Sequence, residues 1–437
     1  MRSTVEPTTR RRFLEYAAGA FALPYLIPSS ALGRDGAVAP SERILMGGIG
    51  LGGRGSSDLR WMMGEADVRF VAICDVRRSQ REALKKIIDD TYGTKDCATY
   101  GDIRQFLAER TDIDAVLIAT GDRWHATASV MAMRAGKDVY CEKPSCLTIA
   151  EGRKVVETSR RYGRIYQTGA QRLSEPHHVF AIEMARTGRL GKIHTVYADC
   201  RYRGGSRRDW LPPEPEPPKD EFDWDAWLGP CLWRPYNKAY VNHQWYHFYD
   251  MATDMAMWGA HTVAQAMAGI EMSKVTQIDF EYGGPDASMV TRLSNGIRMV
   301  LYRTAGSCWD KCEYWHGSCG ERFEGSEGWA GAADGYSKPD VSSPALLAEY
   351  AKVLAEYTAR TQRPMNHVRD FFDSVRSRRQ TVAHPEVMFI SMAICLAADI
   401  CDILKRNLRL DLTRMEFLDD PEANRFRSRP VRAPWNV

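Results

Sequence analysis

The chain has almost no excess of charge of either sign: 59 lysines and arginines face 56 aspartates and glutamates, for a formal net charge of +3. So even a balance does not advertise a surface for phosphodiesters or anionic headgroups, and neither nucleic-acid nor membrane-surface partners are expected. Long apolar runs are scarce too. The first, Tyr16 to Ile27, is interrupted by Pro24 and closed by Pro28, well short of the roughly 20 residues that cross a bilayer, and no later stretch is expected to reach that length. Cysteine is odd in number, 11, and irregular in spacing, which excludes a disulfide framework as the organising principle. No internal repeat or low-complexity tract stands out. What is present is ordinary globular material, 44% hydrophobic and 26% charged over 437 residues, and that length predicts two domains.

Thr9-Arg10-Arg11-Arg12-Phe13-Leu14 forms a twin-arginine pattern ahead of the short apolar run, and Ala31-Leu32-Gly33 supplies small residues for a signal peptidase. Residues 1–33 are therefore expected to be a Tat signal, with the mature chain periplasmic and carrying no membrane span. The Tat route exports folded protein, so a cofactor loaded inside the cell would have to serve outside it.

Ile44-Leu45-Met46 reads as a buried strand running into Gly48-Ile49-Gly50-Leu51-Gly52-Gly53-Arg54-Gly55, with helix following from Ser57 to Met63. The glycines are read as Gly48-x-Gly50-x-x-Gly53, where a tight turn, a close pyrophosphate and helix–strand packing each exclude a β-carbon. Val68–Cys74 is a second strand ending at Asp75. A carboxylate there accepts ribose hydroxyls and repels a 2′-phosphate, favouring NAD over NADP, although Arg77 and Arg78 keep NADP open. Strands at Ala115–Ala119 and Asp138–Cys141 alternate with helices at Ser79–Tyr92, Ile103–Glu109 and Trp124–Ala135. This alternation predicts an α/β fold with a doubly wound parallel Rossmann sheet over residues 42–165, its ligand beyond the strand C-termini. The expected cofactor contacts are Gly48, Gly50, Leu51, Gly53, Arg54, Asp75, Thr120, Asp122, Trp124, His125, Glu142 and Lys143.

With these motifs, and with Glu142-Lys143-Pro144, Asp223-Trp224-Asp225-x-Trp227-Leu228-Gly229-Pro230, Trp258-Gly259-Ala260-His261 and Asn366-His367-Val368-Arg369-Asp370-Phe371, the chain resembles the Gfo/Idh/MocA oxidoreductases. The resemblance implies a C-terminal α/β domain with an open, mostly antiparallel sheet, here residues 166–437, and a homo-oligomer, dimer or tetramer. It implies a tightly bound NAD, a small carbohydrate substrate, and Lys143 and His261 as acid/base groups. One departure stands out. The family aspartate four residues before the histidine is replaced by Met257, and the acidic position three residues after it by Ala264. Asp254, two helical turns before His261, is a stand-in candidate. Three readings stay open: a sugar, polyol or glycoside dehydrogenase; a redox-neutral NAD-dependent glycoside hydrolase or lyase, working by transient oxidation, elimination and re-reduction; and a catalytically impaired nucleotide-binding protein. The second needs a further base, for which Tyr246, His247, His243 and His178 are candidates.

Other motifs carry less. His243-x-x-x-His247 lacks the glutamate of a metalloprotease helix, and Cys308, Cys312, His316 and Cys319 do not follow a common zinc spacing, so no metal is expected. Trp210, Trp245 and Tyr246 are sugar-stacking candidates. Residues 202–240, with their proline run, read as an insertion at the rim of the site, and Gly317–Tyr336 as a second rim loop. Leu346–Arg360, Asn366–Ser377 and Pro385–Lys405 read as core helices.

Overall fold

The computed structural model describes residues 38–200, 207–284, 287–303 and 312–437, with His243 and Gln244 described by their backbone alone. Residues 1–33, expected to be a signal, and Cys308 lie outside the described residues. Of the described residues ahead of Ile44, Pro40–Glu42 form a short 3-10 turn.

Six strands, β1 (Ile44–Ile49), β2 (Val68–Cys74), β3 (Ala98–Tyr100), β4 (Ala115–Ile118), β5 (Asp138–Cys141) and β6 (Tyr166–Thr168), form a sheet of order β3-β2-β1-β4-β5-β6. All its pairs are parallel. Every residue of β4 and β5 is buried, as expected for strands covered by helices on both faces. The helices are α1 (Gly53–Met63), α2 (Arg78–Tyr92), α3 (Ile103–Glu109), α4 (Asp122–Arg134) and α5 (Ile149–Tyr162). Strand order reverses between β1 and β4, so the ligand crevice opens beyond Ile49 and Ile118. The sixth strand lies past the expected boundary at 165.

The second half follows through α6 (Pro176–Arg186), α7 (Trp224–Leu228) and α8 (Ala256–Ala268). Its nine strands are β7 (Ile193–Asp199), β8 (Gln277–Glu281), β9 (Met289–Leu293), β10 (Arg298–Tyr302), β11 (Glu321–Gly325), β12 (Gly328–Ala332), β13 (Asp340–Val341), β14 (Leu408–Asp411) and β15 (Glu416–Phe417), in the order β13-β12-β11-β7-β10-β9-β8-β14-β15. All pairs are antiparallel except β7 with β10. The Gly317–Tyr336 segment is therefore no rim loop: it carries β11 and β12, which pair with each other and, through β11, with β7. The remaining helices are α9 (Pro344–Ala348), α10 (Tyr350–Thr361), α11 (His367–Ser377), α12 (Pro385–Leu404) and α13 (Pro421–Arg425).

Two helices tie the halves together. From α11, Val368, Phe371 and Phe372 enter the core beneath the first sheet, where Phe371 meets Tyr140 edge-on at 5.7 Å. The other, α12, packs against α8 and α5. It corrects the expectation of no late apolar run: an 18-residue window of its 20 residues reaches a mean hydropathy of 2.2, long and apolar enough by composition to cross a membrane. Met388, Met392, Ile394 and Leu396 are buried inside the fold, so its hydropathy serves the core. The rim insertion builds a small aromatic core from Phe222, Trp224, Tyr236, Tyr240 and Phe248. It is fastened to the end of β2 by Arg78 N–H donating to Glu221 O at 2.9 Å and Asp223 N–H donating to Val76 O at 3.2 Å.

Candidate active site

The turn after β1 sits two residues later than the apolar run predicts. The strand continues through Gly47, Gly48 and Ile49, because glycine at 47 makes room for the Phe106 ring and at 48 for Leu51 and Ile73. Gly48 is thus a strand residue. The chain turns at Gly50, whose φ is 64° and where a β-carbon would run into Thr120. Gly52 caps α1, and at Gly55 a β-carbon would stand 2.7 Å from Ala119 Cβ. The fingerprint is therefore Gly50-x-Gly52-x-x-Gly55, with Gly53 in open space at the helix start, where free N–H groups favour an anion.

These residues open a cleft of about 460 Å³ lined also by Asp75, Gln80, Thr120, Trp124, Trp227 and Trp435. Asp75 is buried at the end of β2 and accepts the Arg77 N–H at 2.9 Å; burial pushes its pKa up, opposed by Arg77 and Arg81. Over the cleft lie two covers. The Trp124 indole donates to Ala226 O at 3.0 Å, and the Arg123 guanidinium lies 3.6 Å from the Trp227 ring centre, its Nε–H donating to Trp227 O at 2.9 Å. From the chain's far end, Trp435 packs edge-on against Trp124 at 4.7 Å. Sequence reasoning missed Trp227 and Trp435 as cleft residues; the motif from Asp223 to Pro230 was the signal available for Trp227.

A second pocket of about 480 Å³ shares Arg54, Thr120 and Trp245 with the cleft, so the two form one continuous groove. Lys143 enters it from the end of β5. Its ammonium donates to the Met257 backbone oxygen at 2.9 Å and lies 5.3 Å from the Trp258 ring centre. Where the family pattern has a carboxylate side chain, a main-chain carbonyl holds the lysine. His261 reaches the same pocket from α8. Burial, with Arg172 and Lys143 nearby, holds its pKa far below the ordinary range, so the ring is neutral, and its Nδ1 is buried without a hydrogen-bond partner among the described residues. Asp122, in the first turn of α4, also lines this pocket. Burial raises its pKa to about 7 against the pull of Lys143 and Arg123, and its Oδ2 is likewise unpartnered.

Glu142 is anchored behind the lysine by Gln171 Nε2 at 2.7 Å and by Arg54 at 3.4 Å, while Arg54 also pairs with Asp58 at 2.8 Å. His125 stands between Pro144 O at 2.7 Å and Thr120 O at 2.9 Å, and its single ring N–H donates to one of these two carbonyls. Leu51 is fully buried and packs in the core, outside the cleft lining.

Other expected residues fall elsewhere. Asp254 precedes α8, which begins at Ala256; its N–H faces Asp399 of α12, and it lines neither pocket. The two-turn spacing to His261 thus does not bring it to the lysine. Tyr246 and His247 pack against each other at 4.5 Å outside the pocket linings, while their neighbour Trp245 lines both pockets. Trp210 is half exposed, away from the groove. His178, on α6, is buried against Glu321 of β11. The side chain of His243 lies outside the described residues. All ten described cysteines are free and buried.

A 3-2-1-4-5-6 parallel sheet, a glycine turn only glycine can make, an acidic strand end and a second half closing over the cleft define a dinucleotide-binding oxidoreductase. The chain belongs to the Gfo/Idh/MocA oxidoreductase family: residues 44–170 match its NAD-binding Rossmann fold and residues 347–437 its C-terminal alpha/beta domain. The first domain is an NAD-binding domain. Among relatives, D-glucoside 3-dehydrogenase of Escherichia coli K12 is 31% identical over 145 residues, 32% of this chain and 38% of that protein. Glycosyl hydrolase family 109 protein 1 of Bacteroides thetaiotaomicron is 30% identical over 154 residues, 35% of this chain and 33% of that protein. The alignments thus span less than two-fifths of either relative. The crystal structure of the WlbA dehydrogenase from Chromobacterium violaceum, in complex with NADH and UDP-GlcNAcA, superposes with a TM-score of 0.60 at 14% identity, covering 86% of this chain and 98% of that one. That likeness is one of fold.

Proposed function

We propose that the chain oxidises a secondary hydroxyl of a sugar, polyol or glycoside. The observation that carries this reading is Lys143, held by a main-chain oxygen in a pocket continuous with the dinucleotide cleft. NAD, when bound, supplies the hydride acceptor. Trp245 and Trp258 offer apolar faces to a sugar ring. The Lys143 ammonium polarises the hydroxyl oxygen, and neutral His261 orients the same group. Asp122, with a pKa near 7, receives the proton in place of the carboxylate that position 257 lacks.

A second reading, redox-neutral glycoside cleavage, is favoured by the covers over the cleft, since Trp227 and Trp435 stand where they would hinder release of a dinucleotide. The relative in glycosyl hydrolase family 109 points the same way. Export by the Tat route belongs to this proposal, because an enzyme outside the cytoplasm gains from a cofactor it does not release.

The test is mass spectrometry of the purified chain for retained NAD, followed by a panel of sugars and chromogenic glycosides. Net NADH absorbance on adding sugar with external NAD supports oxidation. Aglycone release without NADH supports the second reading. Neither signal, with NAD bound, overturns both.

A further inference from the structure

We propose that Glu175, His177 and His178 form a site for one divalent transition-metal ion of the zinc class. Glu175 caps α6, and the two histidines follow in its first turn. One ligand atom from each lies within 4.8 Å of the others. His177 Nε2 is 3.7 Å and His178 Nε2 is 4.0 Å from Glu175 Oε2. Tetrahedral ligands at zinc bond lengths stand roughly 3.4 Å apart, a contraction within reach of small rotations of the imidazoles and the carboxylate.

Two further observations point to a ligand. His178 is fully buried, and among the described residues both histidine Nε2 atoms are buried without a hydrogen-bond partner. Behind His178, the Glu321 carboxyl and the Gln265 amide nitrogen each lie 2.8 Å from Nδ1, and Gln265 Nε2 also donates to Glu321 at 2.6 Å. A ring whose Nδ1–H donates to a carboxylate presents the Nε2 lone pair outward, the arrangement by which proteins orient a metal-binding imidazole. Glu175 is 38% and His177 14% exposed, so a fourth position opens to solvent. Two histidines, one glutamate and an open position form a donor set of the zinc type.

None of the three residues lines the cleft or the lysine pocket. The turn before Glu175, Gln171–Ser174, carries two pocket residues: Gln171, which holds Glu142, and Arg172, which pairs with Asp334 at 2.8 Å. An ion at the head of α6 would stiffen the pocket wall from behind.

The test uses untagged full-length chain stripped with chelator and titrated with Zn²⁺ by calorimetry, then with Co²⁺ by visible absorption. One equivalent of Zn²⁺ and a Co²⁺ spectrum of nitrogen and oxygen ligands are expected. Glu175→Gln and His177→Gln should each weaken binding more than 100-fold, and Glu321→Gln about 10–100-fold, while all three keep wild-type NAD binding as proof of folding. Lys143→Met should bind Zn²⁺ as wild type does, separating this site from the proposed reaction. Absence of stoichiometric Zn²⁺ binding, or undiminished binding in both Glu175→Gln and His177→Gln, overturns the proposal and leaves the cluster a hydrogen-bonded packing motif.

Discussion

At the scale of single residues, the exchange of a carboxylate for Met257 moves the chemistry onto its neighbours. Lys143 is held by the Met257 carbonyl rather than by a charged side chain, so its role depends on backbone position and not on the identity of residue 257. Lys143→Met should lower kcat by about 10²–10⁴-fold with NAD affinity retained, read by steady-state kinetics beside calorimetry. Asp122 acts as a base only when ionised, and its pKa is about 7. The rate should therefore rise with pH through that value in the wild type. Asp122→Asn should lower kcat and lose the rise; an unchanged profile would remove Asp122 from the proton path. Both residues were legible in the sequence, Asp122 only as a cofactor contact, because its burial beside the lysine arises from tertiary packing. The glycine register was misread for a related reason. A short apolar run marks a strand's interior, but small residues at 47 and 48 let the strand continue, so the turn and its fingerprint shift by two.

At the scale of elements, the segments hardest to read in the sequence are those that close over the cleft. The proline-bearing insertion and the C-terminal tail have no periodicity, and their meaning comes from where Trp227 and Trp435 land. Trp227→Ala should remove the stacking partner of Arg123 and one wall of the cleft, raising the dissociation rate of NAD in stopped-flow displacement with a smaller change in association. The helices were easier, since apolar spacing announces a buried face. What spacing does not announce is which core receives it. Periodicity marks α11 as a core helix, yet its Phe371 and Phe372 fill the Rossmann side. Phe371→Ala should cost about 3–5 kcal/mol in denaturant unfolding and loosen NAD binding along with it, since the same core supports β1 and β5.

At the scale of the whole molecule, the two halves meet at α12, and a buried carboxylate sits on that contact. Asp399 accepts the Met255 N–H at 2.9 Å and the Asp254 N–H at 3.3 Å at the start of α8, the helix that carries His261. Burial, then repulsion from Asp254 and Asp402, raises its pKa to about 8, partly offset by the Met255 N–H and by Arg429. A carboxyl whose folded pKa lies above its unfolded value of about 3.9 is protonated in the native state where the unfolded chain has already released the proton. Its contribution to stability is thus whole below about pH 4 and is lost as pH rises through 8. Asp122, raised to about 7, acts in the same direction. The melting temperature at fixed NAD occupancy should fall between pH 5 and pH 9. Asp399→Asn keeps an oxygen for the α8 amides but no longer ionises, so its melting curve should fall less over that range. If wild type and Asp399→Asn lose stability in parallel, the pH dependence resides elsewhere, and the coupling of α12 to the His261 helix does not run through this carboxyl.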